Sequence, residues 1–155
     1  MIGPSTGILL VNLGTPSSPE PAAVGRYLRE FLMDPYVLRM PWIVRWALVN
    51  ILIVPRRRHA SAALYKRIWT TAGSPLLVNC QKLQSTLRQA MPGVSIELAM
   101  RYGAPSIEDG IKALLAKNVT GIKVVPLYPH YALSSYETCL DATKRTLTRC
   151  HVTIP

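Results

Sequence analysis

Residues 7–16 read GILLVNLGTP, and this stretch decides the fold. Ile8 to Leu13 form a short, nearly continuous apolar run that ends in Gly-Thr-Pro. A strand buried on both faces of a parallel sheet reads this way, with a loop at its carboxyl end. A second such run is Ile122 to Leu127, and Val94, Ile96, Leu98 and Met100 alternate as a third strand. His151 to Ile154 reads as the opening of a fourth.

Helical signals lie between these runs. Ser17 and Ser18 followed by Pro19, Glu20 and Pro21 mark a helix start. Val24, Tyr27, Leu28, Phe31 and Leu32 continue it at helical spacing until Asp34-Pro35. Ala60 to Trp69 predicts a short helix with Ala63, Leu64 and Ile68 as its inner stripe. Leu76 to Ala90, Ile107 to Leu115 and Ser135 to Leu147 predict three more, with Ser135 as the cap of the last. Strands alternating with helices define an α/β class with a parallel sheet. Right-handed crossovers make that sheet doubly wound. Ligands in such sheets sit beyond the carboxyl ends of the strands, here Leu13-Gly14-Thr15, Arg101-Tyr102-Gly103 and Tyr128 to Tyr131.

The chain of 155 residues has room for one domain with a real core. A hydrophobic share of 49% against 17% charged residues excludes a disordered protein. Net charge is +10, and Arg26 to Arg67 carries nine basic residues against only Glu30 and Asp34. An anionic partner follows: lipid head groups, carboxylates or phosphates. Nucleic acid is disfavoured, because these cations are embedded among Trp, Ile, Leu and Val rather than in a polar, stackable surface. Three cysteines with no C-x-x-C pair, and no basic leader before an apolar run, predict reduced thiols in a cytoplasmic protein.

Met40 to Arg58, MPWIVRWALVNILIVPRRR, is the most apolar run and holds two of the three tryptophans. Its fourteen or so residues between Pro41 and Pro55 fall short of the roughly twenty a spanning helix needs. Three readings stay open: a buried helix, an interface with anionic lipid, and the mouth of a pocket for a flat anionic ligand. Arg39, Arg45 and Arg56 to Arg58 flank the run. Arginine forks bind carboxylates while aromatic faces bind flat rings, so a rigid apolar molecule with peripheral carboxylates suits both.

Other chemistries find little support. Neither G-x-G-x-x-G nor G-x-x-x-x-G-K-[ST] occurs. His59, His130 and His151 are scattered, and none stands at i, i+4 to another His, Cys or Glu. Ser134, Ser135 and His130 are close in sequence, but nothing orients them as a nucleophile–base pair. No catalytic or metal-binding residue is assigned.

GILLVNLGTP, YLREFLMD, the run ending in PRRR, LYKRIW with GSPL, MRYGAPSI and VVPLYPHYALSS occur in the same order in ferrochelatases, and the chain resembles the bacterial members over essentially its whole length. The resemblance implies a porphyrin metallochelatase that inserts Fe(II), its metal substrate, into protoporphyrin IX to make haem. It implies two doubly wound domains around a cleft, residues 1–155 being an N-terminal portion, incomplete at its C-terminal end, with residues 40–58 as an inserted apolar lip. That lip admits porphyrin and touches the membrane through Trp42 and Trp46, so the implied location is cytoplasmic and peripheral on the inner membrane. By position, Leu13 lies against the macrocycle face, Arg56 and Arg57 meet the propionates, and Tyr65 and Ser74 are further propionate-side contacts. Arg101 and Tyr102 match the cleft wall. Leu13 cannot ligate metal. The family's catalytic histidine stands in Ser-x-His-Gly/Ser-x-Pro with an acid beyond it, and neither occurs here. The chain is therefore expected to carry the porphyrin-lip part without the catalytic part, and no cofactor of its own. A non-catalytic tetrapyrrole-binding or membrane-surface module is the alternative, and related metallochelatases with a different tetrapyrrole or metal are a third reading.

Overall fold

The structure, a computed structural model, describes residues 6–149. The proposed fourth strand, together with Cys150 and His151, lies outside them. Strand β1 (Thr6–Gly14) is central, with β2 (Ile96–Tyr102) and β3 (Gly121–Pro126) parallel on either side in the order β2-β1-β3. Ile8 is level with Ile96 and Lys123, and Gly14 with Tyr102.

The apolar run of β1 is explained by two separate cores. Leu9 and Val11 face Ala99, Ile111, Leu114 and Cys139, a core built with helices α5 (Ile107–Leu115) and α6 (Thr138–Arg149). Leu10 faces the other way, into Cys80, Leu98 and Met100 beneath α4 (Pro75–Ala90). Helices on both faces make the sheet doubly wound. Truncating a side chain such as Leu9 to Ala costs about 2–5 kcal/mol in sites of this kind. Helix α5 starts at a reciprocal cap in which Asp109 N–H donates to Ser106 Oγ at 3.1 Å and Ser106 N–H to Asp109 Oδ2 at 2.9 Å.

Between β1 and α4 the chain makes an excursion away from the sheet. Helix α1 (Pro21–Leu32) packs along α3 (Val54–Ile68), and α2 (Trp42–Ala47) runs into α3 through a π-helical segment, Leu48–Ile53. One helical run therefore extends from Trp42 to Ile68. This corrects two expectations: Pro55 does not end the apolar helix, and Ala60 does not begin a new one. Proline lacks the N–H of the regular ladder, and here it follows a segment where i→i+5 bonding already interrupts that ladder. The expected inner stripe of the second helix is also reversed. Leu64 is 61% and Ile68 56% exposed, Ala63 is exposed, and Ala62 is the residue turned inward.

A third correction concerns Ser135. It lies in a short π-helical turn, Leu133–Glu137, and its hydroxyl donates to the Ala132 carbonyl instead of capping a helix.

Candidate functional site at the carboxyl ends of the strands

With strand order β2-β1-β3, the chain leaves β1 toward one side and returns on the other, so the crevice opens between the carboxyl ends of β1 and β3. Half-buried Leu13 stands at its edge, next to Gly14. Gly14 has φ +107°, and a Cβ there would lie 1.8 Å from the Tyr102 carbonyl oxygen, so only glycine lets β1 and β2 approach this closely. From β3 the chain continues to Tyr128, whose hydroxyl is 3.4 Å from Cys139 Sγ. Burial pushes both groups up, the phenol to stay protonated and the thiol to stay neutral. His130 is exposed beyond it.

The helical excursion closes over this end through a column of rings. Tyr27 Oη donates to the Gly14 carbonyl at 3.3 Å. Tyr65 meets the Tyr27 ring edge-on at 6.4 Å, and Trp69 meets Tyr65 at 6.3 Å. On the other side Phe31 stacks with Tyr27 and meets Tyr102 edge-on at 5.2 Å. The column thus joins α3 to the end of β2. Burial raises the Tyr65 phenol, so it stays a neutral hydroxyl.

Arg57, Ser61 and Tyr65 recur one turn apart on α3, spanning about 12 Å. An open apolar groove of about 510 Å³ runs beside them, lined by Leu28, Ser61, Leu64, Tyr65, Arg67 and Ile68. Arg56 is exposed about 100° around the helix from Arg57. Earlier on the same helical run Trp42, Ile43, Val44, Trp46, Ile51 and Leu52 are exposed, Ile43 by 74%. A buried core helix is excluded for most of the run; Val49 and Val54 are its buried apolar residues.

The usual pattern is inverted here, because a charge is inside and the apolar side chains are outside. Arg45, expected to flank the apolar surface, is buried, and its Nη1 donates to the Leu38 and Met40 carbonyls at 3.1 and 3.2 Å. Those carbonyls belong to the turn that enters α2, so Arg45 holds the base of the lip. Asn50 fastens the other side: Arg29 Nε donates to its Oδ1 at 2.6 Å, and its Nδ2 donates to the Trp46 carbonyl at 2.9 Å.

Arg101 and Tyr102 converge on a residue that sequence reasoning treated only as a helix stop. Asp34 Oδ2 accepts from the Arg101 guanidinium, from Tyr102 Oη at 2.8 Å and from Thr138 Oγ1 at 2.6 Å, while its Oδ1 accepts from the Tyr36 N–H at 2.7 Å. Arg101 Nε also donates to Thr138 Oγ1 at 2.7 Å, and the guanidinium lies 4.5 Å from the Tyr102 ring centroid. Burial alone would push the Asp34 carboxyl up. The hydrogen bonds from Thr138, Tyr36 and Tyr102 and the charge of Arg101 together outweigh it, and the carboxyl is held below its usual range. Glu30 reaches the same strand end by accepting from the Gly103 N–H at 3.0 Å. Both acids of the basic segment Arg26 to Arg67 are thus engaged at the end of β2.

The structure therefore divides the residues singled out by sequence. Arg57 and Tyr65 share one face of α3, and Tyr65 connects through Tyr27 to the strand end where Leu13 stands. Tyr102 has no exposed surface and packs within the site, its hydroxyl on Asp34. Ser74 is buried immediately before α4 and is not among the residues lining the groove beside Tyr65. Asp34 and Thr138 were missed. A visible signal was that Asp34 is one of only two acids in a strongly basic stretch. Among the described residues no group of three His, Cys, Asp or Glu side chains could hold a metal ion, and no helix is long and apolar enough to cross a membrane.

A doubly wound parallel sheet, with a helical excursion that carries exposed apolar side chains and exposed arginines, defines the class of the chain as α/β. The family model for ferrochelatase matches residues 5–155, and the chain belongs to the ferrochelatase family. It is 46% identical over 142 residues to a ferrochelatase of Yersinia enterocolitica, covering 91% of the chain and 44% of that relative. Similar figures hold for ferrochelatases of Serratia proteamaculans, at 44% identity over 91% of the chain and 44% of the relative, and Pseudomonas putida, at 44% over 90% and 41%. The chain spans less than half the length of these relatives.

Proposed function

We propose that this chain is the porphyrin-receiving part of a ferrochelatase, taking up protoporphyrin IX so that Fe(II), the metal substrate, is inserted to give haem. The observation that carries the reading is the order of chemistries along one helical run. An exposed apolar helix descends through Arg57, Ser61 and Tyr65 to a groove whose ring column ends at the strand-end crevice. A flat macrocycle with peripheral carboxylates matches that order of chemistries. Arg56 and Arg57 bind the propionates, the Tyr65 hydroxyl donates to one of them, and Leu13 closes against the apolar face. Exposed Trp42 and Trp46 beside cations fit the surface of anionic lipid, and this supports a location at the cytoplasmic face of the inner membrane. An apolar substrate would then pass from lipid to groove without crossing bulk water.

Metal insertion requires two pyrrole protons to be removed. The Ser-x-His-Gly/Ser-x-Pro segment that the family resemblance assigns to this step is not among these 155 residues. The reading therefore gives the chain porphyrin reception and not metallation. Titrating the chain with protoporphyrin IX while following porphyrin fluorescence, then adding Fe(II) without oxygen, tests both parts. Saturable binding with no haem formed is expected. Absence of saturable binding would overturn the porphyrin reading, and sustained haem formation would overturn the division of labour.

A further inference from the structure

We propose that Asp34 sets ligand orientation by claiming the Arg101 guanidinium, so that among the described residues the strand-end crevice offers no free cation and carboxylate recognition falls to the arginines of α3. The proposal rests on the reading above that the crevice takes a flat ligand with peripheral carboxylates. Two cationic positions could in principle compete for those carboxylates. Arg56 and Arg57 on α3 are exposed, whereas Arg101 sits at the carboxyl end of β2 with its side chain 20% exposed. An uncompensated guanidinium there would draw a carboxylate toward the apolar end of the crevice, turning an amphiphile around.

The geometry prevents this. Arg101 directs one terminal nitrogen to Asp34 and its Nε to Thr138, and its plane lies near the Tyr102 ring. Asp34 is itself enclosed, its side chain 1% exposed, so its charge is directed at Arg101 and not at solvent. With both charges engaged, the crevice presents Leu13 and the aromatic column, and among the described residues the exposed arginines beside the groove are those of α3: Arg67 in its lining, and Arg56 and Arg57 two or more helical turns along the helix from Tyr65. Asp34 is thus a positioning residue: it acts on the ligand through Arg101 without touching it.

Two measurements on the full 155-residue chain test this, and the first needs no ligand. Phenylglyoxal modification followed by peptide mass spectrometry reads the accessibility of each arginine. Arg101 is expected to react at least about tenfold more slowly than Arg57, and Asp34→Asn, which keeps the size of the side chain and removes its charge, brings the rates together. Equal rates in the unaltered chain overturn the proposal, whether or not porphyrin binds. The second reads affinity for protoporphyrin IX relative to its uncharged dimethyl ester. Releasing Arg101 by Asp34→Asn is expected to raise the acid-to-ester ratio by about tenfold, the scale of one charge-assisted hydrogen bond. Removing both charges with Asp34→Asn plus Arg101→Gln returns it to the original value. A role confined to stability would lower both affinities together and leave the ratio unmoved, which counts against the proposal. If Asp34→Asn does not fold, the double variant keeps the test, because it removes the ion pair and is expected to preserve the original ratio; a several-fold fall in that ratio overturns the proposal. Failure of the chain to bind either porphyrin would instead strike the proposed function and leave the modification result standing.

Discussion

The Thr138 hydroxyl donates to Asp34 Oδ2 at 2.6 Å, joining the first residue of α6 to the segment that leads into the apolar helix. These residues are 104 positions apart, and β2 lies between them through Arg101 and Tyr102. The segment that enters the lip is thereby braced against α6 and the sheet.

Thr138→Val keeps the shape and removes the hydroxyl that both donates to Asp34 and accepts from Arg101. A loss of about 1–3 kcal/mol is expected, the scale of leaving buried polar partners unsatisfied. Urea unfolding of the two chains measures it, and a change below about 0.5 kcal/mol would place the network outside the cooperative core.

Acid should weaken this brace in a defined direction. The Asp34 carboxyl is held below its ordinary value of 3.8 in the folded chain, so the folded state binds this proton less readily than the unfolded one. Its stabilisation is fully present above the ordinary carboxylate range and is lost as pH falls through the depressed folded value. Unfolding free energies measured from pH 6 down to pH 2.5 should therefore fall more steeply in the unaltered chain than in Asp34→Asn. Parallel curves would show that Asp34 contributes nothing to acid lability.

Trp42 and Trp46 are 62% and 45% exposed, so replacing both with Ser removes apolar surface without opening a cavity. Stability should change by no more than about 0.5 kcal/mol, as for ordinary surface substitutions. Co-sedimentation with vesicles containing phosphatidylglycerol should drop several-fold. Undiminished sedimentation would remove the lip from the lipid contact.

The sheet was legible in sequence because β1 lies between two cores, and a strand buried on both faces has no choice but to be apolar along Ile8 to Val11. The helical lip was legible as an apolar stretch but not as a shape. Pro55 reads as a stop, and only the π-helical segment before it lets the helix continue. Leu64 and Ile68 read as an inner stripe because periodicity reports that one face is apolar, not which way that face is turned. Arg45 was misplaced for the same reason. Asp34 was hidden differently: its side-chain partners come from 67, 68 and 104 positions away, and no spacing rule along the chain carries that information. The positions on α3 came from family resemblance, and the fold supplies the helix face that Arg57 and Tyr65 share, with Arg56 turned about 100° from Arg57.

The central claim is that exposed arginines on α3 receive the carboxylates of a porphyrin beneath the apolar lip. A fluorescence titration of protoporphyrin IX against the unaltered chain and Arg57→Ala tests it most directly. The substitution lies on an exposed helix surface, so thermal unfolding should be unmoved, while affinity should weaken by about 1.5–3 kcal/mol, the scale of a charge-assisted contact. Identical titration curves for the two chains, with both folded, would contradict the claim.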